Sequence, residues 1–169
     1  MKALEVSSRT AHFIDIENLS QSSILDEELV RRVKSEYFAR VEPGLDDIFF
    51  IGVSHFNLAA ASFGWGSGVA RYLVRSGNDG ADLALLELLS DPSTLTRFNK
   101  IVIASGDGIF SKSNQMLAAR GIQTTYVARQ DAVARDIFLS GCGFMLLPPR
   151  ACHDISSIPL LAKEYALVS

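Results

Sequence analysis

His12-Phe13-Ile14-Asp15-Ile16 belongs to an apolar run over residues 11–16 that ends in polar Glu17-Asn18. A run of this length and character predicts a buried β-strand, and its carboxylate sits where the strand gives out. Ile101-Val102-Ile103-Ala104 repeats the pattern and ends in Ser105-Gly106-Asp107-Gly108. In a parallel sheet the two strands end at the same edge, so Asp15 and Asp107 are expected to emerge together. Asp79 and Asp82, in Gly77-Asn78-Asp79-Gly80-Ala81-Asp82, add two acids ahead of a helix. Carboxylates gathered this way repel: at roughly 5 Å and an effective dielectric of about 20, each pair costs on the order of 3 kcal/mol. A divalent cation reverses that cost into attraction, so a magnesium or manganese site is the expectation.

Outward from these strands the chain alternates. Asp26 can cap a helix running to about Phe38, with Leu29, Val30, Val33 and Tyr37 on one face. Ile48-Phe49-Phe50-Ile51-Gly52-Val53 is apolar throughout, as a strand covered on both faces is. Residues 57–63 predict a short helix, 69–74 a third strand, and 81–89 a helix stopped by Asp91-Pro92. Residues 100–104 predict the fourth strand, 110–119 a helix closed by Gly121, and 122–127 a fifth strand. One more helix over 132–139, an edge strand over 143–147 stopped by Pro148-Pro149, and a terminal helix over 158–166 complete the reading. Short β-α connections predict an α/β fold, a three-layer α/β/α sandwich on a mainly parallel five- or six-stranded sheet. One domain over residues 1–169 is expected, with its core at about 10–148 and an extension over 149–169. The ligand site of such a sheet lies beyond the carboxyl ends of its strands, where strand order reverses.

The 169 residues suit one domain able to bury about two thirds of its unfolded surface. With 48% hydrophobic and 21% charged residues, the composition is that of a globular chain and unlike a disordered one. No apolar stretch approaches the roughly 20 residues needed to cross a bilayer. Met1-Lys2-Ala3-Leu4-Glu5 opens no apolar leader, so a cytoplasmic protein without a membrane partner is expected. A net charge of −3 argues against bulk coating of nucleic acid while leaving room for local contact. Cys142 and Cys152 have neither CxxC nor Cys/His spacing and read as packing thiols. Nothing in the composition fixes the oligomeric state, and a homo-oligomer stays open.

A carboxylate between Ile14 and Ile16 is expensive to bury without partners, which makes Asp15 the strongest single candidate. A structural acid accepting backbone amides is the plainer alternative. Asn18 can orient water or a ligand from the first turn, or simply shape that turn. Glu17 points away from Asp15's neighbours if the strand extends that far, and inward if it has ended. Asp107 sits between two glycines, where backbone can turn and a bound oxygen come close; a cap for the following helix is its plainer role. Ser105, at the same strand end, can bind metal or phosphate, and Asp82 opens a helix, where acids are favoured anyway. Gly64-Trp65-Gly66-Ser67-Gly68 precedes a strand and so fails the dinucleotide fingerprint, although Trp65 offers a base-stacking face. His55 follows the second strand and is expected near the site. Arg75, Lys112 and Arg129, near strand or helix ends, are the candidate phosphate contacts.

At these residues the chain resembles the NYN branch of the PIN-like metal-dependent nucleases. Phe13-Ile14-Asp15-Ile16-Glu17-Asn18 is similar to that family's opening strand, Gly80-Ala81-Asp82 to its Gly-x-Asp, and Ser105-Gly106-Asp107-Gly108-Ile109-Phe110 to its Ser-Gly-Asp-x-Asp-Phe. The resemblance spans about residues 10–148. It implies a PIN-like, Rossmann-like fold with strand order 3-2-1-4-5 and Asp15 beside Asp107. It further implies a Mg²⁺- or Mn²⁺-dependent ribonuclease, with Asp15 and Asp107 as metal ligands, Asp82 as ligand or water-mediated acid, and Asn18 and Ser105 positioning water or phosphate. Two departures stand out: Ile109 replaces the family's second acid, and Asp79 replaces a frequent lysine. Asp79 is expected to restore part of the lost charge. The alternatives are a non-catalytic RNA-binding or protein-interaction module with a degenerate metal site, and a small phosphatase or receiver domain. Glu17 argues against a haloacid-dehalogenase-type phosphatase, which places Asp there.

Overall fold

The computed structural model describes residues 9–68, 70–140 and 142–150. The terminal helix expected over 158–166, and Cys152, lie outside them. Six strands, β1 (Thr10–Asp15), β2 (Ile48–Val53), β3 (Ala70–Val74), β4 (Lys100–Ala104), β5 (Gln123–Arg129) and β6 (Gly143–Leu147), form one sheet in the order β3-β2-β1-β4-β5-β6. Every pairing is parallel. The helices are α1 (Ile16–Ser20), α2 (Glu27–Val41), α3 (Leu58–Trp65), α4 (Gly80–Ser90), α5 (Pro92–Leu95), α6 (Ser113–Ala119) and α7 (Arg135–Phe138). The result is a Rossmann-like α/β sandwich with helices on both faces of the sheet.

Side-chain alternation along the strands sorts the core into two layers. Ile14, Phe49, Ile51, Val53, Val102 and Ala104 face α2 and α3, while Ala11, Phe13, Phe50, Ile101 and Ile103 face α4 and the helices after it. β2 is buried at all six positions, as its unbroken apolar sequence requires. Asp26 caps α2 by accepting the Leu29 amide at 2.8 Å, and Leu29, Val30, Val33 and Tyr37 form its buried face. Trp65 is buried as well, 5.8 Å from the Tyr37 ring centroid, so it offers no stacking face to a base.

Boundaries moved where local hydrogen bonds outcompete the apolar pattern. The strand expected to reach Ile16 stops at Asp15, because the Asp15 carboxylate accepts the Asn18 amide and starts α1. The helix expected over 110–119 splits into a 3-10 turn, Gly108–Phe110, and α6. The helix expected over 132–139 contracts to α7, while β5 runs on to Arg129.

At the amino-terminal end of β1, His12 is enclosed in a polar relay. Its Nδ1 lies 2.8 Å from the Tyr37 hydroxyl and its Nε2 3.1 Å from Asp47 Oδ2. Asp47 also accepts the Thr10 and Gly44 amides, fastening the α2-β2 loop to the first strand.

Candidate functional site

β1 lies between β2 and β4, so the chain winds to one side of it first and to the other later. This reversal opens a crevice at the carboxyl ends of β1 and β4, where parallel sheets carry their ligands. Asp15 ends β1 there, 4% exposed. Its Oδ1 accepts the Asn18 amide at 3.1 Å and its Oδ2 accepts the Ser105 hydroxyl at 3.1 Å. Ile14 pairs with Ala104 across the two strands, which places Asp15 level with Ser105.

Asp82 reaches the same point from α4. Gly52 stands opposite Asp15 in the β1-β2 pairing. A methyl group on Gly52 would sit 2.7 Å from Leu85 Cδ1 and 2.9 Å from the Ala81 carbonyl. The missing side chain lets α4 settle onto the sheet and brings Asp82 against Asp15, close enough for the two carboxyls to share a hydrogen bond. Burial first, then that bond and the charges of Asp15, Asp107 and Asp79, push the Asp82 carboxyl up to about 9. Burial also raises Asp15, against the lowering effect of its bonds to Asp82, Asn18 and Ser105. Asp82 Oδ1 is buried with no hydrogen-bond partner among the described residues.

The cavity over this pair measures 230 Å³, and Asn18, Ser54, Arg75 and Asp79 are among the residues lining it. Asn18 does more than shape a turn: its Oδ1 accepts the Gly106 amide at 2.9 Å and ties the loop after β4 to the first turn after β1. Gly106 has to be glycine, since a Cβ there would stand 1.7 Å from the Ala132 carbonyl oxygen. Glu17 turns inward and lines the cavity, its Oε1 accepting from the Ser54 amide, the Ser54 hydroxyl and Asn57 Nδ2. Arg75 sits on the cavity wall, half-exposed and 3.6 Å from Glu87.

The other candidates differ in how near they come to this pair. Asp107 lies two residues beyond the level of Asp15, is exposed, and accepts the Ile109 amide at 2.9 Å, so it caps the 3-10 turn where a metal ligand beside Asp15 was expected. Asp79 lines the cavity in a left-handed conformation, φ 54°, with its Oδ2 3.3 Å from Asn78 Nδ2. Among the described residues no three His, Cys, Asp or Glu side chains come together as a metal-binding group. Ser105 is buried and bonds Asp15 and the Asp107 amide, which makes it a support for the acid and not a phosphate contact. His55 is exposed, bonded through Nδ1 to Ser76 Oγ at 2.8 Å, and stays off the cavity wall. Lys112 is exposed at the start of α6, likewise off the wall. Arg129 is 2% exposed and faces the other way, bonded to the Leu19 carbonyl at 2.8 Å and the Pro148 carbonyl at 2.9 Å. A buried arginine with carbonyl partners braces the fold, so the expectation of a phosphate contact at the carboxylates is corrected for this residue.

Ser54 and Asn57 escaped the sequence reading because hydroxyls and amides after a strand are common. Gly52 carried a usable signal, a lone glycine inside an apolar strand.

No family model matches the chain, and no curated protein matches it. A crystal structure of a protein of unknown function from Vibrio parahaemolyticus has the same architecture at a TM-score of 0.53 and 16% identity, over 86% of this chain and 96% of that one. The likeness is one of fold: the chain is similar to that protein in its Rossmann-like α/β architecture.

Proposed function

We propose that the crevice over Asp15 and Asp82 holds Mg²⁺ or Mn²⁺ and that the protein hydrolyses phosphodiester bonds in RNA, as its resemblance to the NYN nucleases implies. The observation that carries this reading is the buried, unpartnered Asp82 Oδ1 beside Asp15 at the strand-order reversal. An acid oxygen in that position costs free energy unless a cation or proton meets it. The donor set fits: magnesium retains several waters and takes only one or two carboxylates from the protein. Asp15 and Asp82 would hold the ion, and Asp79 on the cavity lip would add charge to the site.

When bound, such a cation lowers the pKa of attacking water and offsets charge on the phosphoryl oxygens. The chain's own residues do the remainder. The Asn18 amide and the Ser105 hydroxyl fix the rotamer of Asp15. Arg75, on the wall, can meet a phosphate oxygen with a charge-assisted hydrogen bond. Asp15→Asn should abolish cleavage of a fluorescent RNA while leaving the circular dichroism spectrum unchanged. Full activity in that variant rejects the reading.

Although Asp79 and Glu17 also line the cavity, no three acids among the described residues group as a metal-binding set, and this with the isoleucine at position 109 favours a second reading, a non-catalytic RNA-binding module of the same architecture. RNA binding without turnover in magnesium, manganese or cobalt would establish it.

A further inference from the structure

A second cavity lies away from the carboxylates, between α2 and the carboxyl ends of β5 and β6. It measures 460 Å³, within the range of about 300–1,000 Å³ typical of small-molecule sites. Helix α1 separates it from the crevice: Asn18 lines the crevice, and Ser20, at the end of the same helix, lies in the cavity floor.

Charge dominates its rim. Arg31, Arg32, Arg129 and Arg150 line it against Glu28 and Glu36. Glu36 is already matched, 2.5 Å from Arg129, whose other bonds to Leu19 and Pro148 hold it rigid. Arg31 pairs with Glu27 one turn earlier. Arg32 makes no ion pair or side-chain hydrogen bond among the described residues, and Arg150 commits one nitrogen to the Gln21 carbonyl at 2.9 Å. Glu28 also makes no ion pair among the described residues and offsets one of these charges, so the exposed Arg32 and Arg150 guanidinium groups leave a net surplus of one positive charge at the rim.

The floor is polar and the flank apolar. Ser20 is 1% exposed and its hydroxyl has no partner among the described residues, an unusual state for a buried hydroxyl. Leu29, Val33 and the Pro148-Pro149 pair supply an apolar wall beside the arginines. An apolar wall next to a surplus of forked donors suits a planar, weakly polar group joined to an anion.

We propose that this cavity binds the phosphate of a nucleotide, either free or at the end of an RNA strand. Arg32 and Arg150 take the phosphate oxygens, the base lies against Pro148-Pro149, and Ser20 turns about χ1 to give its hydroxyl a partner. The site does not depend on the metal-centred reading of the crevice, since it shares no lining residue with it.

Calorimetry on the full chain in EDTA, which prevents cleavage, tests this with two ligand pairs: adenosine monophosphate against adenosine, and a short single-stranded RNA with a terminal phosphate against the same strand ending in hydroxyl. In at least one pair the phosphate form should bind about tenfold tighter or more. A preference in the mononucleotide pair identifies a free nucleotide as ligand; a preference confined to the RNA pair identifies a strand end. Arg32→Gln with Arg150→Gln should erase the preference without moving Tm, because both side chains are exposed. Ser20→Ala should weaken the phosphate form about threefold or more at unchanged Tm, as the hydroxyl bonds no protein group. Equal binding within both pairs, or a preference that survives the double substitution, overturns the proposal and leaves the crevice reading untouched.

Discussion

The Gly106 amide donates to Asn18 Oδ1 across 2.9 Å, joining the loop after the fourth strand to the turn after the first. Around this bond the loop also passes beneath the Ala132 carbonyl, and the Ala134 amide returns to the Gly106 carbonyl at 2.8 Å. Replacing Asn18 by alanine leaves the Gly106 amide without its acceptor in a partly buried position. The expected cost is about 1–2 kcal/mol, or a Tm lowered by about 2–8 °C, with RNA cleavage falling further than stability. Differential scanning fluorimetry and a cleavage assay on one preparation check both parts.

Gly106→Ala is expected to be far more damaging. The added methyl would meet a backbone oxygen, which cannot swing aside as a side chain can. The expected loss is at least about 3 kcal/mol, read as a drop in the urea midpoint or in soluble yield.

Asp82→Asn should stabilise the cation-free protein. The folded carboxyl sits at about 9, far above its ordinary 3.8, so the native state holds a proton that the unfolded chain releases at neutral pH. The stability this group contributes is fully present below pH 3.8 and declines as pH rises toward 9. Asparagine does not titrate, so its advantage should grow over that window to about 1–2 kcal/mol at pH 8, discounted because Asp82 is partly exposed. Urea unfolding in EDTA at pH 5 and pH 8 measures it. Manganese should reverse the order by stabilising the parent alone, and equal manganese effects on both proteins would count against the cation site.

Acid should loosen the opposite end of the sheet. Burial lowers the pKa of His12 despite its bond to Asp47, so its neutral form is favoured in the fold. Asp47 is also held below its ordinary value by the His12, Thr10 and Gly44 hydrogen bonds, which together outweigh burial. Both groups contribute stability that is present at neutral pH. The histidine's share fades as pH falls through about 6.5 and below, the aspartate's below about 3.8. Asp47→Ala should cost about 2–4 kcal/mol at pH 7 and flatten the part of the stability curve below about pH 4, where the aspartate's own share is lost, in urea unfolding taken from pH 7 to pH 2.

The strands were legible because each is a short apolar run bounded by polar or glycine-containing turns, and their parallel direction followed from the helices between them, while the order of the first five came from the resemblance. Asp15 was legible for the same reason, since an acid inside an apolar strand demands partners. The role of Asp107 was not. Its place after β4 suggested convergence with Asp15, but Ile14 opposite Ala104 fixes a register that meets Asp15 with Ser105 and leaves Asp107 further out, where its carboxylate accepts the Ile109 amide. Arg129 misled because position at a strand end says nothing of which face the side chain takes. The Glu17-Ser54-Asn57 cluster depends on contacts between segments far apart in sequence, which no local pattern encodes.

Asp15 and Ser105 meet although 90 residues separate them along the chain. During synthesis the first strand leaves the ribosome long before the fourth, and the loop that braces its acid does not yet exist. A product of premature termination ahead of Ser105 would keep at most the Asn18 bond to Asp15 and lack the Ser105 hydroxyl, with half a crevice. Whatever chemistry the finished molecule performs there is therefore withheld from nascent and prematurely stopped chains alike.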